Sequence, residues 1–196
     1  MAILALFDFD GTITDKDSLF KFIRFYIGDI KFIVGLVILF PMLIKFKLGL
    51  ITNSKAKEYL MAYYFKGTDL KTFKKLATEY SLFHINEILR PKAMERIDWH
   101  QALGHEIVII SASIRCWLKP WCDRHNISLI STELEVIDSK ITGKFSTKNC
   151  HGIEKERRIK EVYDLRNYEY IYAYGDSIGD KEMLALANES FYKPFR

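Results

Sequence analysis

Cysteine is scarce in this chain of 196 residues, and its three cysteines form no CxxC pair and no zinc-finger spacing. The first apolar run has no basic segment ahead of it, which predicts no secretory signal. An odd number of cysteines without such a signal is typical of reduced thiols in a cytoplasmic protein. A large charge excess is lacking as well, since 29 Lys and Arg stand against 25 Asp and Glu. The net charge of +4 therefore predicts no nucleic-acid partner.

Apolar runs as long as an ordinary membrane span are also missing. A charge-free run over residues 32–44 holds thirteen residues, Pro41 among them, and is flanked by Lys31, Lys45 and Lys47. A spanning helix needs about 20 apolar residues, whereas runs of about 10–14 are typical of core or interfacial segments. Three interpretations are open: a buried helical pair kinked near Pro41, a peripheral contact with anionic lipid at the inner face of the membrane, and a true span.

Core-forming residues are plentiful, because 49% of the chain is apolar and 14% is aromatic. The apolar run at residues 2–7 ends in a turn signal and predicts a buried strand. Residues 106–110 and 169–174 predict two more strands. Residues 133–145 predict a small hairpin that turns at residues 142–143.

Helices alternate with these strands, except that residues 15–89 are helical without a convincing strand. This alternation predicts an α/β fold, namely a Rossmann-like parallel sheet with helices on both faces. We expect residues 1–14 and 91–196 to form this core. Residues 15–90 are expected to be an inserted all-helical cap domain above the carboxyl ends of the strands.

Acidic and polar residues follow the predicted strands where each strand ends. Asp8 and Asp10 follow the first strand, Ser111 follows the second, and Asp176 and Asp180 follow the strand at residues 169–174. Ligands of an open parallel sheet bind beyond the carboxyl ends of its strands, so these side chains are expected to converge. Clustered carboxylates need a compensating charge, and a hard divalent cation is the simplest one.

These residue types suit phosphoryl transfer. One carboxylate can attack phosphorus and form an aspartyl-phosphate, and a second can act as general acid and then as general base. Mg²⁺ held by carboxylates neutralises the repulsion between nucleophile and phosphate. A hydroxyl and a lysine can bind the other phosphate oxygens, and Lys155, near the start of a charged helix, is the candidate lysine.

Four sequence features occur in a characteristic order: DFDGT at residues 8–12, a strand ending in Ser111, then Lys155, then GDSIGD at residues 175–180. Together they resemble the four motifs of the haloacid dehalogenase-like superfamily. A helical cap between the first two motifs is similar to the phosphoserine-phosphatase-like branch of that superfamily. The resemblance implies an α/β core, a helical cap and Mg²⁺-dependent hydrolysis of phosphomonoesters.

The resemblance also implies a role for each residue at a matching position. Asp8 is expected to be the nucleophile and a Mg²⁺ ligand. Asp10 is expected to be the general acid and base, with its backbone carbonyl on the metal. Asp176 is the third protein ligand, and Asp180 lies behind the ligands or orients a metal-bound water.

Three further residues are expected to bind the phosphoryl oxygens. They are the side chains of Ser111 and Lys155 and the main-chain N–H of Ala112. The implied substrate is a small phosphorylated metabolite or a phospholipid head group.

The cap bears on the choice of substrate. Residues 15–19 read DKDSL, unlike the Glu-containing pattern of phosphoserine phosphatases, and Arg24 is the only cap arginine before Arg90, which argues against phosphoserine. The apolar run at residues 32–44 is similar to that of the branch that includes bacterial phosphatidylglycerophosphate phosphatases. A lipid phosphatase at the membrane surface is therefore the alternative.

Two other hypotheses stay open. A phosphotransferase or mutase uses the same covalent intermediate and passes the phosphoryl group to another hydroxyl. A non-catalytic module that binds a membrane or a partner through the apolar cap belongs to a different class of function, and it predicts no phosphatase activity. The pattern does not predict the oligomeric state.

Overall fold

A central parallel sheet organises the structure, a computed structural model that describes residues 2–196. The strands are β1 (Ala2–Phe7), β2 (Glu106–Ile114), β3 (Ser128–Thr132), β4 (Leu134–Ile137), β5 (Lys140–Phe145), β6 (Tyr168–Gly175) and β7 (Glu189–Tyr192). Five of them form a parallel sheet in the order β3-β2-β1-β6-β7. The other two, β4 and β5, form a separate antiparallel hairpin.

Helices follow most strands. Five consecutive helices separate β1 from the helix that leads into strand β2. This helical block comprises α1 (Ser18–Ile27), α2 (Asp29–Ile38), α3 (Phe40–Lys47), α4 (Asn53–Phe65) and α5 (Leu70–Phe83). The later helices are α6 (Pro91–Ala102), α7 (Arg115–Arg124), α8 (Ile153–Val162) and the short α9 (Lys181–Leu184). The predicted α/β fold with a parallel sheet is therefore confirmed.

Strand β1 is buried on both faces of the sheet, as its continuous apolar sequence predicts. Leu4 and Leu6 belong to an apolar cluster that includes Ile159 of α8. Ala5 and Phe7, which point to the opposite face, belong to a larger cluster with residues of α6, α7 and the helical block. Helices thus cover both faces, and the carboxyl end of β1 is held rigidly between them.

The chain enters and leaves the helical block at adjacent points. The N–H of Asp15 donates to the carbonyl oxygen of Ile88 at 2.8 Å, and the N–H of Arg90 donates to that of Ile13 at 2.8 Å. The guanidinium Nε of Arg90 also donates to the carbonyl oxygen of Thr14 at 3.1 Å. These bonds close the base of the block directly beside the turn that follows β1.

Backbone hydrogen bonds also join the β4–β5 hairpin to the connection between α4 and α5. The N–H of Gly67 donates to the carbonyl oxygen of Ile141 at 2.8 Å, and the N–H of Ile141 donates to that of Thr68 at 2.9 Å. The N–H of Leu70 donates to the carbonyl oxygen of Ser139 at 2.8 Å. The hairpin therefore attaches the helical block to the later part of the chain.

The hairpin turns at Asp138 and Ser139, so the predicted turn at residues 142–143 is wrong. Both turn residues have positive φ, 49° and 61°, as the tight turns of twisted hairpins require. Gly143 lies inside β5 with φ at 88°, and a Cβ there would come 2.3 Å from the Cα of Ala62 in α4. Glycine at this position serves the close packing of the hairpin on α4.

The charge-free run at residues 32–44 lies in α2 and α3, which meet at Leu39. Pro41 stands in the first turn of α3, where a missing N–H costs no helical hydrogen bond. The interpretation as a buried helical pair is wrong, because only Phe32 and Gly35 of α2 are buried and every residue of α3 is at least partly exposed. Within residues 2–196, no helix is long and apolar enough to cross a bilayer.

A buried histidine lies beneath the carboxyl end of β1. The Nε2 atom of His100 is 2.9 Å from the hydroxyl of Tyr174, and its Nδ1 atom is 2.8 Å from Nδ1 of His105. The ring of Tyr174 stacks on Phe7, with centroids 4.3 Å apart. Burial, assisted by His105 and Arg96, lowers the pKa of His100 to about 3. The imidazole is therefore neutral in the folded protein.

We expect the free energy of unfolding to fall on acidification from about pH 6.5, because the unfolded chain then binds a proton at His100 that the folded chain does not. In His100→Gln the free energy of unfolding should depend less steeply on pH, because unfolding then takes up fewer protons, by up to about one. Urea unfolding at a series of pH values between neutrality and pH 4 measures both slopes. Identical slopes in the variant and the wild type would show that His100 is not the group responsible.

Candidate active site

The turn after β1 places Asp8 at the carboxyl end of the sheet. The N–H of Asp8 donates to the carbonyl oxygen of Tyr174 in β6 at 2.9 Å, which continues the pairing of the strands. The hydroxyl of Thr12 donates to Oδ2 of Asp8 at 3.1 Å. Gly11, with φ at 85°, leaves no room for a side chain, because a Cβ would lie 2.6 Å from Oδ2 of Asp176. Glycine therefore lets the turn approach Asp176 closely.

A buried lysine links two of the acidic residues. Nζ of Lys155 in α8 donates to Oδ1 of Asp8 at 2.5 Å and to Oδ1 of Asp180 at 2.6 Å. The lysine side chain is 2% exposed. Burial alone lowers the pKa of Lys155, but the attraction of Asp8 and Asp180 outweighs it, and the net shift is upward. The ammonium therefore stays charged and holds the two carboxylates together.

Asp180 organises the turn that follows β6. Its Oδ2 accepts from the N–H of Asp176 at 3.1 Å and from both the N–H and the hydroxyl of Ser177 at 2.9 Å. Burial raises the pKa of Asp180, but Lys155 and the bonds from Ser177 outweigh it, so the pKa is lowered. Asp180 is thus a structural anion that fixes the position of Asp176.

Three carboxylates form the acidic cluster of the site. One oxygen each of Asp8, Asp176 and Asp180 lies within 4.8 Å of the others. Asp176 pairs with Arg196, yet burial and the charge of Asp180 still raise its pKa. Burial also raises the pKa of Asp8 to about 7, although Lys155 lowers it. The cluster therefore carries more negative charge than its cations balance, and its hard oxygen atoms fit a divalent cation such as Mg²⁺.

Asp10 faces the helical block. Its Oδ1 accepts from the N–H of Ser18, the first residue of α1, at 2.7 Å, and its Oδ2 accepts from the hydroxyl of Ser113. The hydroxyls of Ser18 and Ser113 are 3.0 Å apart, and Nε1 of Trp117 donates to that of Ser18 at 3.2 Å. A carboxylate at a helix N-terminus is stabilised by the helix dipole. Asp10 is therefore held between the sheet and α1.

Ser111 and Ala112 lie at the same edge of the sheet, because β1 and β2 pair in parallel with Phe7 opposite Ile109. The buried hydroxyl of Ser111 accepts from the N–H of Ser113 at 3.0 Å. Nζ of Lys57 in α4 donates to the carbonyl oxygen of Ala112 at 3.2 Å. A cation of the helical block thus reaches the strand ends.

Asp17 faces the site from the start of α1. Its Oδ1 caps the helix by accepting from the N–H of Leu19 at 2.9 Å. The pKa of Asp17 is raised to about 6 because surrounding protein atoms displace part of its water and Asp10 repels its charge, whereas Lys57 lowers it. The residue as a whole stays exposed. Asp17 and Lys57 are therefore two ionisable groups on the helical side of the site.

The predicted site residues fall into two hydrogen-bonded groups. Lys155 joins the acidic cluster of Asp8, Asp176 and Asp180, whereas Asp10 and Ser111 bond to serines near α1. The sequence pattern did not single out four contributors: Asp17, Ser18, Lys57 and Ser113. Ser113 had a signal, since it stands two residues after Ser111. The other three stand at the start of a helix or within one, where such residue types are common.

The family described as haloacid dehalogenase-like hydrolase matches residues 5–185, so the chain belongs to it. The match extends from β1 to the end of the turn and helix that follow β6, and it includes every residue of the acidic cluster.

Known proteins resemble the chain over nearly its whole length. Protein CicA of Caulobacter vibrioides is 33% identical over 198 residues, which cover 99% of this chain and 87% of that protein. A solved structure of a protein of unknown function from Bordetella pertussis Tohama I has a TM-score of 0.82 at 21% identity, covering 97% of this chain and 89% of the other.

The fold is that of the phosphoserine-phosphatase-like branch, as predicted. A substrate-bound phosphoserine phosphatase complex superposes with a TM-score of 0.70 at 14% identity, covering 98% of this chain and 86% of the other. At this level of identity the likeness concerns the fold.

Replacing Lys155 by Met should lower the free energy of unfolding by about 3–5 kcal/mol, because it leaves two buried carboxylates without their cation. Urea unfolding in the absence of divalent cations measures the loss. Lys160→Met on the same helix, where the ammonium is exposed and paired with Glu156, is the matched control and should change stability by less than about 1 kcal/mol. Equal losses in the two variants would contradict the structural importance of the buried ammonium.

Proposed function

We propose that the protein is a Mg²⁺-dependent phosphomonoester hydrolase that acts through an aspartyl-phosphate on Asp8. The observation that carries the proposal is the acidic cluster around Lys155 at the carboxyl end of β1, in a chain of the hydrolase family. Asp8 is held there by a lysine on one oxygen and by a hydroxyl on the other. Such fixed orientation is what a carboxylate nucleophile needs for in-line attack.

The metal site we propose uses Asp8, Asp176 and the backbone carbonyl of Asp10, with Asp180 behind them. When bound, Mg²⁺ supplies positive charge that offsets the repulsion between the carboxylates and the phosphate. The acidic cluster supports this proposal, because its residues bring more negative than positive charge into a buried place. Both oxygens of Asp180 already accept hydrogen bonds, one from Lys155 and the other from Ser177. Asp180 is therefore better suited to holding Asp176 in position than to binding the metal directly.

Asp10 is proposed as the proton carrier. It stands two residues after the nucleophile, and its hydrogen bonds to Ser18 and Ser113 fix both of its oxygens. In the first step its proton passes to the leaving oxygen of the substrate, and in the second it takes a proton from the attacking water. The position beside α1 makes this proton transfer depend on the placement of the helical block.

The phosphoryl oxygens are proposed to bind Ser111, the main-chain N–H of Ala112 and Lys155. Donors aimed at these oxygens stabilise the charge that develops in the transition state. Lys155 then shares its ammonium between the nucleophile and the phosphate.

We also propose a division of the chain into a catalytic core, residues 1–14 and 91–196, and a helical cap, residues 15–90. The paired hydrogen bonds at the base of the helical block, between residues 13–15 and 88–90, support these boundaries. Asp17 and Lys57 lie on the cap side and would contact the leaving group of a phosphorylated metabolite or phospholipid head group. A lipid phosphatase of the phosphatidylglycerophosphate type is the alternative that the exposed apolar helices favour.

Asp8→Asn should abolish Mg²⁺-dependent hydrolysis of a chromogenic phosphate ester, with a loss on the order of a thousandfold or more, because the amide is a poor nucleophile. Initial rates with Mg²⁺, with chelator and after Mg²⁺ is restored measure the activity. Asp123→Asn, at an exposed position of α7, is the matched control and should keep wild-type rates. Unchanged turnover in Asp8→Asn would rule out the nucleophile.

Lys57→Met should raise the KM for the preferred substrate about tenfold with a smaller change in kcat, as expected for a group that binds the leaving group away from the reacting atoms. The substrate comes from a screen of phosphorylated metabolites and phospholipid head groups. Lys55→Met on the same helix, where the ammonium is half exposed, serves as control. An equal KM in all three proteins would remove Lys57 from substrate recognition.

A further inference from the structure

Large apolar side chains lie in solvent along α2, α3 and the loop after α3. On α2 they recur at intervals of three and four residues, so they form one stripe. Ile30 is 80% exposed, Val37 69%, Leu48 67% and Leu50 69%. We call the exposed apolar side chains of residues 30–50 the α2–α3 surface. Contiguous exposed apolar surface of this kind marks a contact with a partner, because single scattered residues do not form such stripes.

Positive charge accompanies the α2–α3 surface. Between residues 30 and 52 the chain has Lys31, Lys45 and Lys47 and no Asp or Glu. The acid just before this stretch, Asp29, is engaged by Nε of Arg24 at 2.6 Å. Lysines on flexible stems can extend past apolar side chains and present their ammonium groups beside them.

We propose that the α2–α3 surface docks the protein on an anionic membrane surface. Apolar side chains enter the boundary between head groups and acyl chains, and the three lysines pair with anionic head groups. A second copy of the chain is a poorer occupant, because a symmetric contact through this surface would bring the same lysines of two chains together. An anionic bilayer offers the complementary charge.

The docked orientation brings the strand ends toward the lipid. The loop after α3 leads directly into α4, whose first residue, Asn53, accepts from Nδ2 of Asn149 at 3.0 Å. One turn later, Nζ of Lys57 donates to the carbonyl oxygen of Ala112 at 3.2 Å. Docking does not require catalysis, so a measurement of membrane binding tests it whether or not the proposed phosphatase activity is found.

Vesicle sedimentation tests the docking. Phosphatidylcholine vesicles and vesicles of phosphatidylcholine with phosphatidylglycerol are the two probes. The full chain should bind the anionic vesicles and not the neutral ones, and salt should weaken the binding because the attraction of lysines is screened. Asp8→Asn should bind as the wild type does, which separates docking from catalysis.

Two matched substitutions test the apolar stripe. Val37→Glu should weaken binding to anionic vesicles at least about tenfold, because it puts a charge into the inserted stripe. Val162→Glu makes the same change at a position that is 63% exposed at the end of α8, and it should bind as the wild type does. Circular dichroism of both variants confirms that the fold is kept.

Two further substitutions test the charge. Lys45→Gln with Lys47→Gln should weaken binding roughly 25-fold, since each lysine near an anionic surface contributes roughly a factor of five. Lys92→Gln with Lys144→Gln, at exposed positions outside the surface, should have no such effect. Equal binding to neutral and anionic vesicles, equal loss in the Val37→Glu and Val162→Glu variants, or a dimer in solution that Val37→Glu dissociates would each overturn the proposal.

Discussion

One buried ammonium group, that of Lys155, holds together the acidic turns on which the site depends. A lysine taken out of water loses its hydration, and this cost is recovered only where the geometry of its ion pairs is good. Here two carboxylates at 2.5 and 2.6 Å recover it, one from the turn after β1 and one from the turn after β6. The remaining oxygen of Asp180 is saturated by donors of its own turn. Helix α8 is thereby fastened to two neighbouring strands.

The same arrangement sets the charge of the site. One lysine and one arginine, Lys155 and Arg196, pair with three clustered carboxylates, so the folded protein holds an excess of negative charge in a place with little water. This excess disfavours the metal-free state, and it is the condition under which a divalent cation binds strongly. The stability of the fold and the negative charge available to a cation therefore depend on one set of side chains, and the balance shifts with each group that is neutralised.

Much of the fold could be predicted, because the deciding signals are local. The apolar run of β1, the acids that end it and the alternation of strands and helices follow from short stretches of sequence. The partners of Asp10 and Ala112 could not be predicted in this way. Ser113 lies 103 residues from Asp10, and Lys57 lies 55 residues from Ala112. Which distant side chains meet depends on how the helical block settles on the sheet.

Whether residues 32–44 are buried or exposed could not be decided from the sequence, for a different reason. The hydrophobicity of a segment indicates how much free energy its burial would contribute. It does not indicate whether other parts of the chain cover the segment. The hairpin turn was predicted at the wrong place because glycine is a common turn residue and Gly143 resembles one in the sequence. Glycine is needed at this position because a Cβ would clash with Ala62 of α4. The carboxylates of the acidic cluster lie after β1 and β6, and Lys155 lies in the first turn of α8. These places in the fold follow from the order of the residues along the chain, whereas their catalytic roles stay a prediction.

The attachment of the hairpin to the α4–α5 connection limits how the helical block can move. A block joined only by its two covalent connections could swing freely about them. This one is also bonded to the β4–β5 hairpin through Gly67, Thr68 and Leu70, so a free swing would break three backbone hydrogen bonds. Helix α5 is held to the core as well, since the N–H of Trp121 in α7 donates to the hydroxyl of Ser81 at 2.9 Å. Helices α2 and α3 take no part in these attachments, so the attachments restrain α4 and α5 more directly than α2 and α3.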